Sequence, residues 1–270
     1  MSQNFTHTVL GKTGIPVHRL GLSATYRPGK KVIYRALDEG LNYFFFFGFD
    51  NQMVKVLREV LRQKRENIIV ATGACNLLWG HTNLRHTLEK RLRTLRTDYI
   101  DVFLFLGVTQ EKHFTDQVKE ELYRFREEGK VRAVGISTHN RKFAGRLANE
   151  GVLDVIMMRY NAAHRGAEQD IFLYLEKHNP GVVSFTATRW RYLIRRPRNW
   201  PKNEPVPTAG MCYRFVLSNP QVHVCMTAPA NPKQFEENVK ALRLGSLTEE
   251  EMELMKKFGN AVHHTKKWFM

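Results

Sequence analysis

Cysteine is scarce in this chain, and long apolar runs are missing. The three cysteines, Cys75, Cys212 and Cys225, are widely spaced and odd in number, which argues against a disulfide framework and predicts free thiols in a reducing cytosol. No stretch approaches the about 20 apolar residues that a membrane-spanning helix needs. The opening residues, MSQNFT, hold neither a basic leader nor an apolar core, so we expect no secretion signal and a cytoplasmic protein.

Acidic residues are also few, with 26 Asp and Glu against 42 Lys and Arg, for a net charge of +16. Such a field favours anionic partners such as nucleotides, nucleic acid or lipid head groups. The basic residues are scattered over what look like outer helix faces and no nucleic-acid motif is present, so a solvated basic surface is favoured over nucleic-acid binding. His263 and His264 are adjacent, and no spaced set of His, Cys and carboxylate accompanies them, so we predict no metal site.

The chain is organised around residues 41–51, LNYFFFFGFDN. An apolar aromatic run of this length, bounded by turn residues, is typical of a strand buried on both faces, as in parallel sheets. Along a strand the four phenylalanines 44–47 alternate in direction, so some would face a barrel interior and the others the surrounding helices. Residues 48–51 would then form a loop at the carboxyl end of the strand, where barrels bind their ligands.

Apolar runs alternate with amphipathic segments along the rest of the chain. We predict strands near 19–23, 41–46, 67–72, 100–106, 131–136, 154–158, 182–186 and 222–226. We predict helices near 29–39, 51–64, 82–95, 115–128, 141–149, 167–178, 208–218 and 231–242. Eight strands with intervening helices imply parallel pairing, and the simplest closed solution is an α/β fold of the (β/α)8 TIM-barrel type. No linker or boundary divides the 270 residues, so we expect one barrel domain over 1–270.

Additional segments flank and punctuate the barrel. Residues 8–20 read as a short β-hairpin before the first strand. Thr82 is a plausible cap for the helix that follows it. Thr248 and Glu251 form a capping-box pattern that opens an extra carboxyl-terminal helix near 248–263. The segment 189–202, RWRYLIRRPRNWPK, stands apart as a long basic and aromatic loop after the seventh strand.

Several phrases in order resemble the aldo-keto reductase family. They are LGKTG at 10–14, RLGL at 19–22, ALDEGLNYF at 36–44, LRTLRTDYID at 92–101, EEGKVRAVGIS at 127–137, RYN at 159–161 and NPKQFEEN at 231–238. The resemblance runs from about residue 8 to 262. It implies the eight-stranded barrel independently of the strand pattern, and it suggests NADP(H) as the cofactor.

The catalytic tetrad that the resemblance implies is missing. In the family, Tyr protonates the carbonyl oxygen, Lys and Asp lower the pKa of that Tyr, and His orients or shares the proton. The positions of Asp, Tyr, Lys and His are held here by Phe45, Asp50, Gly73 and Leu106. The resemblance therefore implies that ordinary aldo-keto reductase activity is absent or very weak.

The resemblance also indicates where a cofactor would bind. Ser137 keeps a hydroxyl for the carboxamide, Met157 replaces the usual Gln, and Phe185 replaces the stacking Tyr with another ring that can stack. The residue that often supplies a positive charge to the ribose phosphate aligns with Ala230, and Lys233 is a substitute. The candidate cofactor contacts are Ser137, Thr138, Met157, Phe185, Arg189, Ala228, Lys233, Gln234, Glu237 and Asn238. For Gln234, Glu237 and Asn238, the competing explanation is that they cap the helix or are ordinary polar residues on its exposed face.

Other polar groups on the predicted rim are candidates for chemistry. The catalytic candidates are Asp50, His81 and His139. At an apolar rim Asp50 would be an acid or base, but equally a helix cap. His139 follows the fifth strand, where it would face a ligand, but a solvated or capping histidine is the favoured interpretation. The replacements at the tetrad positions make the barrel mouth apolar, which predicts a hydrophobic pocket above Phe45. The predicted pocket residues are Tyr26, Phe45, Phe49, Leu106 and Arg159.

Three functions follow from these observations. The first is an NADP(H)-binding oxidoreductase that acts on a small apolar molecule by a non-standard mechanism. The second is a non-redox enzyme on the same barrel that uses Asp50 or a histidine as acid and base. The third is a non-catalytic binding or regulatory protein, in which the basic loop 189–202 grips an anionic partner or touches a membrane surface.

Overall fold

The computed structural model describes residues 5–48, 51–75 and 83–265. It begins with a two-stranded antiparallel sheet, β1 (His7–Val9) and β2 (Pro16–His18), in which Thr8 pairs with Val17. Eight parallel strands then close into a barrel. They are β3 (Leu20–Ser23), β4 (Tyr43–Phe45), β5 (Ile69–Cys75), β6 (Ile100–Val108), β7 (Val131–Thr138), β8 (Val155–Arg159), β9 (Gly181–Phe185) and β10 (Val224–Thr227). The predicted (β/α)8 barrel with its amino-terminal hairpin is confirmed.

Helices lie between the strands and after the last one. They are α1 (Gly29–Asp38), α2 (Asn51–Lys64), α3 (Leu84–Leu95), α4 (Asp116–Glu127), α5 (Arg141–Glu150), α6 (Ala167–Asp170), α7 (Ala209–Ser218), α8 (Pro232–Leu242) and α9 (Glu249–Thr265). The capping box that opens α9 is present: the Thr248 amide donates to Glu251 Oε2 (3.0 Å), and the Glu251 amide donates to Thr248 Oγ1 (3.1 Å). No helix among the described residues is long and apolar enough to cross a bilayer.

The predicted helix 167–178 is wrong in extent. The chain forms only the single turn α6, leaves helical geometry at Ile171 (φ −128°, ψ −53°), and then makes a short 3-10 turn over Phe172–Tyr174. Helix α5 crosses here so closely that a Cβ on Gly145 would lie 1.9 Å from the Asp170 carbonyl oxygen. The end of α6 therefore lies in tight contact with α5, which the local helical pattern does not show.

The cap of α3 is Asn83, whose side chain accepts a hydrogen bond from the His86 amide at 2.8 Å. The helix begins at Leu84, two residues later than predicted. Thr82, to which we assigned the cap, lies outside the described residues.

Side chains alternate between two apolar layers. Phe44 and Phe46 belong to the layer between strands and helices, whereas Tyr43 and Phe45 belong to the barrel interior. All four are at most 5% exposed. The interior layer holds Leu10, Ile15, Val17, Tyr43, Phe45, Ile69, Ala71, Val102, Leu104, Leu106, Ala133, Val155, Met157, Val183, Val224 and Met226. The aromatic run is therefore split between both layers, as its position on a buried strand predicts.

Two carboxylates tie neighbouring strands together near their amino ends. Asp101 is fully buried on β6, and its Oδ2 accepts from the Val70 amide on β5 and from Arg65 Nη2, each at 2.9 Å. Its Oδ1 accepts from Arg132 at 2.9 Å. Asp154, just before β8, accepts from the Val134 amide on β7 at 3.0 Å. Such carboxylates are tolerated inside because several donors satisfy them.

Two neutral histidines also accept hydrogen bonds from backbone amides of the barrel strands. The Leu20 amide donates to His18 Nδ1, and the Val182 amide donates to His223 Nδ1, each at 3.0 Å. An imidazole nitrogen that accepts must be unprotonated. Burial lowers the pKa of His18 to about 4, against the opposing effect of the Leu20 carbonyl, which lies 3.1 Å from Nδ1. Burial and the charge of Arg19 lower the pKa of His223 to about 4.

We expect these two histidines to make the fold sensitive to mild acid. A histidine whose pKa is depressed in the folded state contributes fully above its unfolded pKa of about 6.5, and that contribution is lost as the pH falls toward about 4. Each would account for at most about 3 kcal/mol. Urea unfolding at pH 7 and at pH 4.5 should show the loss. The double variant His18→Asn, His223→Asn keeps an acceptor that does not titrate and should flatten the profile. An unchanged slope in this variant would contradict the assignment.

Candidate active site at the carboxyl end of the barrel

The predicted site positions converge at the carboxyl ends of the barrel strands. Phe45 ends β4, Arg159 ends β8 and Phe185 ends β9. Met157 and Leu106 belong to the interior layer, and Phe185 packs against it. Residues at alternate positions of a strand face the same side, so Arg159 lies on the interior face with Met157. This end of a (β/α)8 barrel is where active sites form.

The described positions that the resemblance aligns with the tetrad hold apolar side chains or lie against backbone. Phe45 and Leu106 are each 5% exposed. At Gly73 an added Cβ would lie 2.0 Å from the Leu104 carbonyl oxygen and 2.9 Å from Leu106 Cγ. The position of the missing lysine therefore admits no side chain without a shift of strand β6. Asp50, Phe49 and His81 lie outside the described residues.

Two exposed aromatic side chains lie at the described part of the mouth. The Phe45 ring lies 6.0 Å from that of Phe47, which is 39% exposed. Tyr26, in the loop after β3, is 56% exposed. Two surface grooves, of about 450 and 400 Å³, lie on the helical wall beside Met252 and beside Tyr174, away from the mouth. The hydrophobic pocket above Phe45 stays a prediction.

His139 is the catalytic candidate that the structure describes. It follows β7, and its ring meets that of Phe185 edge to face at 5.4 Å. The residue is exposed overall, although its ring packs on Phe185. This partial burial lowers the pKa of His139, and the positive charge of Arg159 lowers it further. The imidazole of His139 therefore lies beside the ring of Phe185 and near the guanidinium of Arg159.

Positive groups gather around Arg159. Its side chain is 8% exposed, and burial, followed by the charges of Arg141 and Arg189, lowers its pKa to about 10. Arg189 is 3% exposed and donates from Nη1 to the Val262 carbonyl of α9 at 2.7 Å. Arg141 opens α5 and pairs with Asp170 at 2.8 Å. Our sequence reasoning missed Arg141, although its place just beyond the end of β7 was a usable signal.

Asn161 and His164 follow β8 and differ in their contacts. Asn161 accepts from the amides of Ala163 and His164, each at 3.0 Å, and its Nδ2 donates to the Thr186 carbonyl at 2.9 Å. Burial lowers the pKa of His164 to about 3, and the charges of Arg159 and Arg189 add to the effect. Asn161 thus ties the turn 161–164 to the loop after β9, whereas the ring of His164 packs edge to face against that of His263 at 5.2 Å.

The two hydroxyls predicted for the nicotinamide side differ in availability. Thr138 Oγ1 donates to the Val108 carbonyl and accepts from the Asn140 amide at 2.9 Å. These bonds commit it to the turn between β7 and α5. Ser137 is half-buried on β7 beside Met157, its partner in register on β8. We therefore retain Ser137, and not Thr138, as the candidate contact of this strand.

The start of α8 supplies the remaining cofactor candidates. Asn231 caps the helix by accepting from the Gln234 amide at 3.0 Å, and Gln234 Oε1 accepts from the Ala230 amide at 3.0 Å. Lys233 is exposed in the first turn. Glu237 is exposed and Ala228 is half-buried.

Asn238 is placed differently from the exposed residues of the first turn. It is 4% exposed, and its Nδ2 donates to Thr227 Oγ1 at 3.2 Å. Gln234 and Asn238 therefore have structural hydrogen bonds, which a cofactor contact would have to accommodate.

The basic loop 189–202 is partly folded onto α9. Trp200 is 5% exposed, its ring lies 4.8 Å from that of Phe258, and its Nε1 donates to the Pro205 carbonyl at 3.0 Å. Trp200 is therefore not exposed for contact with a partner. Trp190 and Tyr192 are 39% and 41% exposed.

We expect Gly73→Ala to destabilise the protein. The added methyl group would meet the backbone of β6, and such overpacking costs about 1–3 kcal/mol or more. Urea unfolding measures the change. Cys75→Ala is the matched control on the same face of β5, and it should cost less than about 1 kcal/mol because Cys75 is only partly buried. Equal stability of the two variants would contradict the close approach at Gly73.

Comparison with known proteins agrees with this architecture. The profile of the Aldo/keto reductase family matches residues 30–190, more than half of the chain. The uncharacterized oxidoreductase YqkF of Bacillus subtilis (strain 168) is 22% identical, over 91% of this chain and 94% of its own. The holo form of aldo-keto reductase AKR11C1 from Bacillus halodurans has a TM-score of 0.79 at 22% identity, covering 95% of this chain and 97% of that one. A Klebsiella pneumoniae aldo/keto reductase in complex with NADP and acetate has a TM-score of 0.75 at 19% identity, covering 94% and 95%. The chain belongs to the aldo/keto reductase family.

Proposed function

We propose that this protein is an NADP(H)-dependent oxidoreductase that reduces a carbonyl group on a largely apolar substrate without the family's tetrad. Family membership supports the reaction class. The observation that carries the proposal is Phe185, a ring at the end of β9 that packs against the interior layer of the barrel. It stands where the resemblance expects the nicotinamide to stack.

The residues at the start of α8 fit the phosphate end of this cofactor. A helix amino terminus presents amide donors and a partial positive charge to an anion. Lys233 adds a full charge in the first turn and is exposed to receive it. A relative of known fold is in complex with NADP, which supports the same cofactor here. When bound, NADPH supplies a hydride that forms a C–H bond at the carbonyl carbon, while the oxygen takes a proton to give an alcohol and NADP+.

His139 is the described residue best placed to deliver that proton. It contacts the Phe185 ring and lies close enough to Arg159 for the two charges to interact. Because its pKa is lowered, the imidazole is mostly neutral at pH 7 and becomes a stronger donor in mild acid. Phe45 and Leu106 would exclude water and receive the apolar body of the substrate.

A cytoplasmic location fits the same proposal. The three cysteines all lie in the described residues, none of them is in a disulfide, and Cys212 and Cys225 are buried. Reduced thiols are the rule in the cytosol, where the cofactor is also available.

We expect the protein to bind NADPH, detectable as a change in the fluorescence of the reduced nicotinamide during titration. Lys233→Ala should weaken NADPH roughly tenfold, the value of one charge-assisted contact, and leave NADH unchanged because NADH lacks the extra phosphate. Lys240→Ala, on the same helix but in its last turn, is the matched control. Absence of NADPH and NADH binding at saturating concentration would overturn the proposed function.

We expect the rate of NADPH oxidation with an aromatic aldehyde to rise as the pH falls below about 6.5, because the lowered pKa of His139 delays its protonation. His139→Asn should remove this rise and reduce the rate by roughly 10²-fold or more. His86→Asn changes an exposed histidine on α3 and serves as control. A His139→Asn enzyme that keeps the same pH profile would exclude His139 as the donor.

A further inference from the structure

We propose that the basic loop 189–202 docks the protein on an anionic lipid bilayer. The contact is made by exposed cations of the loop and not by the candidate active site, so it does not require a bound cofactor. The protein would then be a peripheral membrane protein that binds the surface by charge.

The surroundings of the loop contain almost no carboxylates. Residues 177–235 include a single acidic side chain, Glu204, which lies 3.5 Å from the ammonium of Lys257 on α9. Exposed cations of the helices can instead be paired, as Arg146 is with Glu111 at 2.6 Å. Four cations of the loop are exposed and make no side-chain hydrogen bond or ion pair within the described part of the chain: Arg191, Arg195, Arg198 and Lys202.

The loop that carries these cations is folded. The Arg196 guanidinium donates to the Pro201 carbonyl from Nη1 and to the Glu204 carbonyl from Nη2, the second at 2.8 Å. The ring of Trp200 packs on that of Phe258 of α9. Arg196 and Trp200 therefore hold the loop together, and the remaining cations stand on a surface that is ordered before a partner arrives. Docking on such a surface orders few additional groups, which keeps its entropic cost low.

The aromatic side chains of the loop favour a bilayer as the partner. Trp190 and Tyr192, on either side of Arg191, are 39% and 41% exposed. Trp and Tyr are enriched at membrane–water interfaces, and clustered Lys and Arg are attracted to anionic head groups. Single-stranded nucleic acid is usually held in a basic groove, whereas no residue of the loop lines either of the two surface grooves on the helical wall.

The loop also lies at the functional end of the barrel. It belongs to the segment between the carboxyl end of β9 and the start of α7, the end at which the candidate site is built. Docking would therefore bring the barrel mouth to the bilayer, and an apolar carbonyl substrate would reach it from the lipid. Only this last statement rests on the proposed function, because the docking surface itself involves no chemistry.

Co-sedimentation of the full-length protein with lipid vesicles tests the surface. In about 0.1 M salt the protein should bind vesicles with roughly 30% phosphatidylserine and not vesicles of phosphatidylcholine alone. Each neutralised cation should lower the affinity roughly fivefold, so the double variant Arg195→Gln, Arg198→Gln should bind roughly thirtyfold more weakly.

The matched control is the double variant Arg62→Gln, Arg93→Gln. It removes the same charge from two exposed arginines on α2 and α3. Its affinity for the anionic vesicles should stay within about twofold of that of the unmodified protein, because salt screens charges that lie outside the contact.

No binding to the anionic vesicles, equal binding to both kinds of vesicle, or equal losses in the two double variants would overturn the proposal. Binding of a single-stranded oligothymidylate that depends on Arg195 and Arg198, in a protein that ignores the vesicles, would assign the loop to nucleic acid instead. A loss of NADPH affinity in the loop variant as large as its loss of vesicle affinity would show that the loop serves the cofactor, and would also overturn it. Vesicle binding that depends on the loop in a protein that binds no NADPH would sustain the docking surface and refute only the oxidoreductase function.

Discussion

The close approach of neighbouring barrel strands limits which side chains the barrel wall can carry. At two positions, Gly73 on β5 and Gly135 on β7, an added Cβ would lie 2.0 and 1.9 Å from a carbonyl oxygen of the next strand. Backbone oxygens cannot retreat without loss of the hydrogen bonds that close the barrel. The first of these positions is the one that the resemblance aligns with the lysine of the family. At this position the backbone of the barrel wall therefore leaves no room for a side chain.

The fold was predictable because its signals are periodic and local. Buried parallel strands read as apolar runs, and the helices between them carry one apolar face, so the eight repeats could be found without knowledge of their contacts. The prediction failed at 167–178, where α6 ends after one turn in tight contact with Gly145 of α5, a contact that the local pattern does not show. The bonds of Asp101 were also unreadable, because Arg65, Val70 and Arg132 approach it from distant parts of the chain.

The candidate site was predictable only in part, for the same reason. The resemblance located Phe45, Gly73, Leu106 and Phe185 at one end of the barrel, and the structure brings them there. It did not reveal that Arg141 and Arg189, from two other segments of the chain, lower the pKa of Arg159. Nor did it reveal the left-handed turn 189–191, because none of these residues is the glycine that normally marks such a conformation. Convergence of this kind depends on strand register and loop geometry, which residue types alone do not specify.

The positive charge of this protein therefore has two different physical roles. The net charge of +16 is spread over exposed side chains, where salt screens it within about 8–10 Å and where it mainly speeds the approach of anions. Surface charge of this kind attracts any anion to the barrel, including nucleotides. Arg159 is buried among apolar and cationic neighbours, so salt screens it less than it screens the surface charges. Its charge lowers the pKa values of His139 and His164, and this effect depends less on ionic strength than the attraction of anions by the surface does.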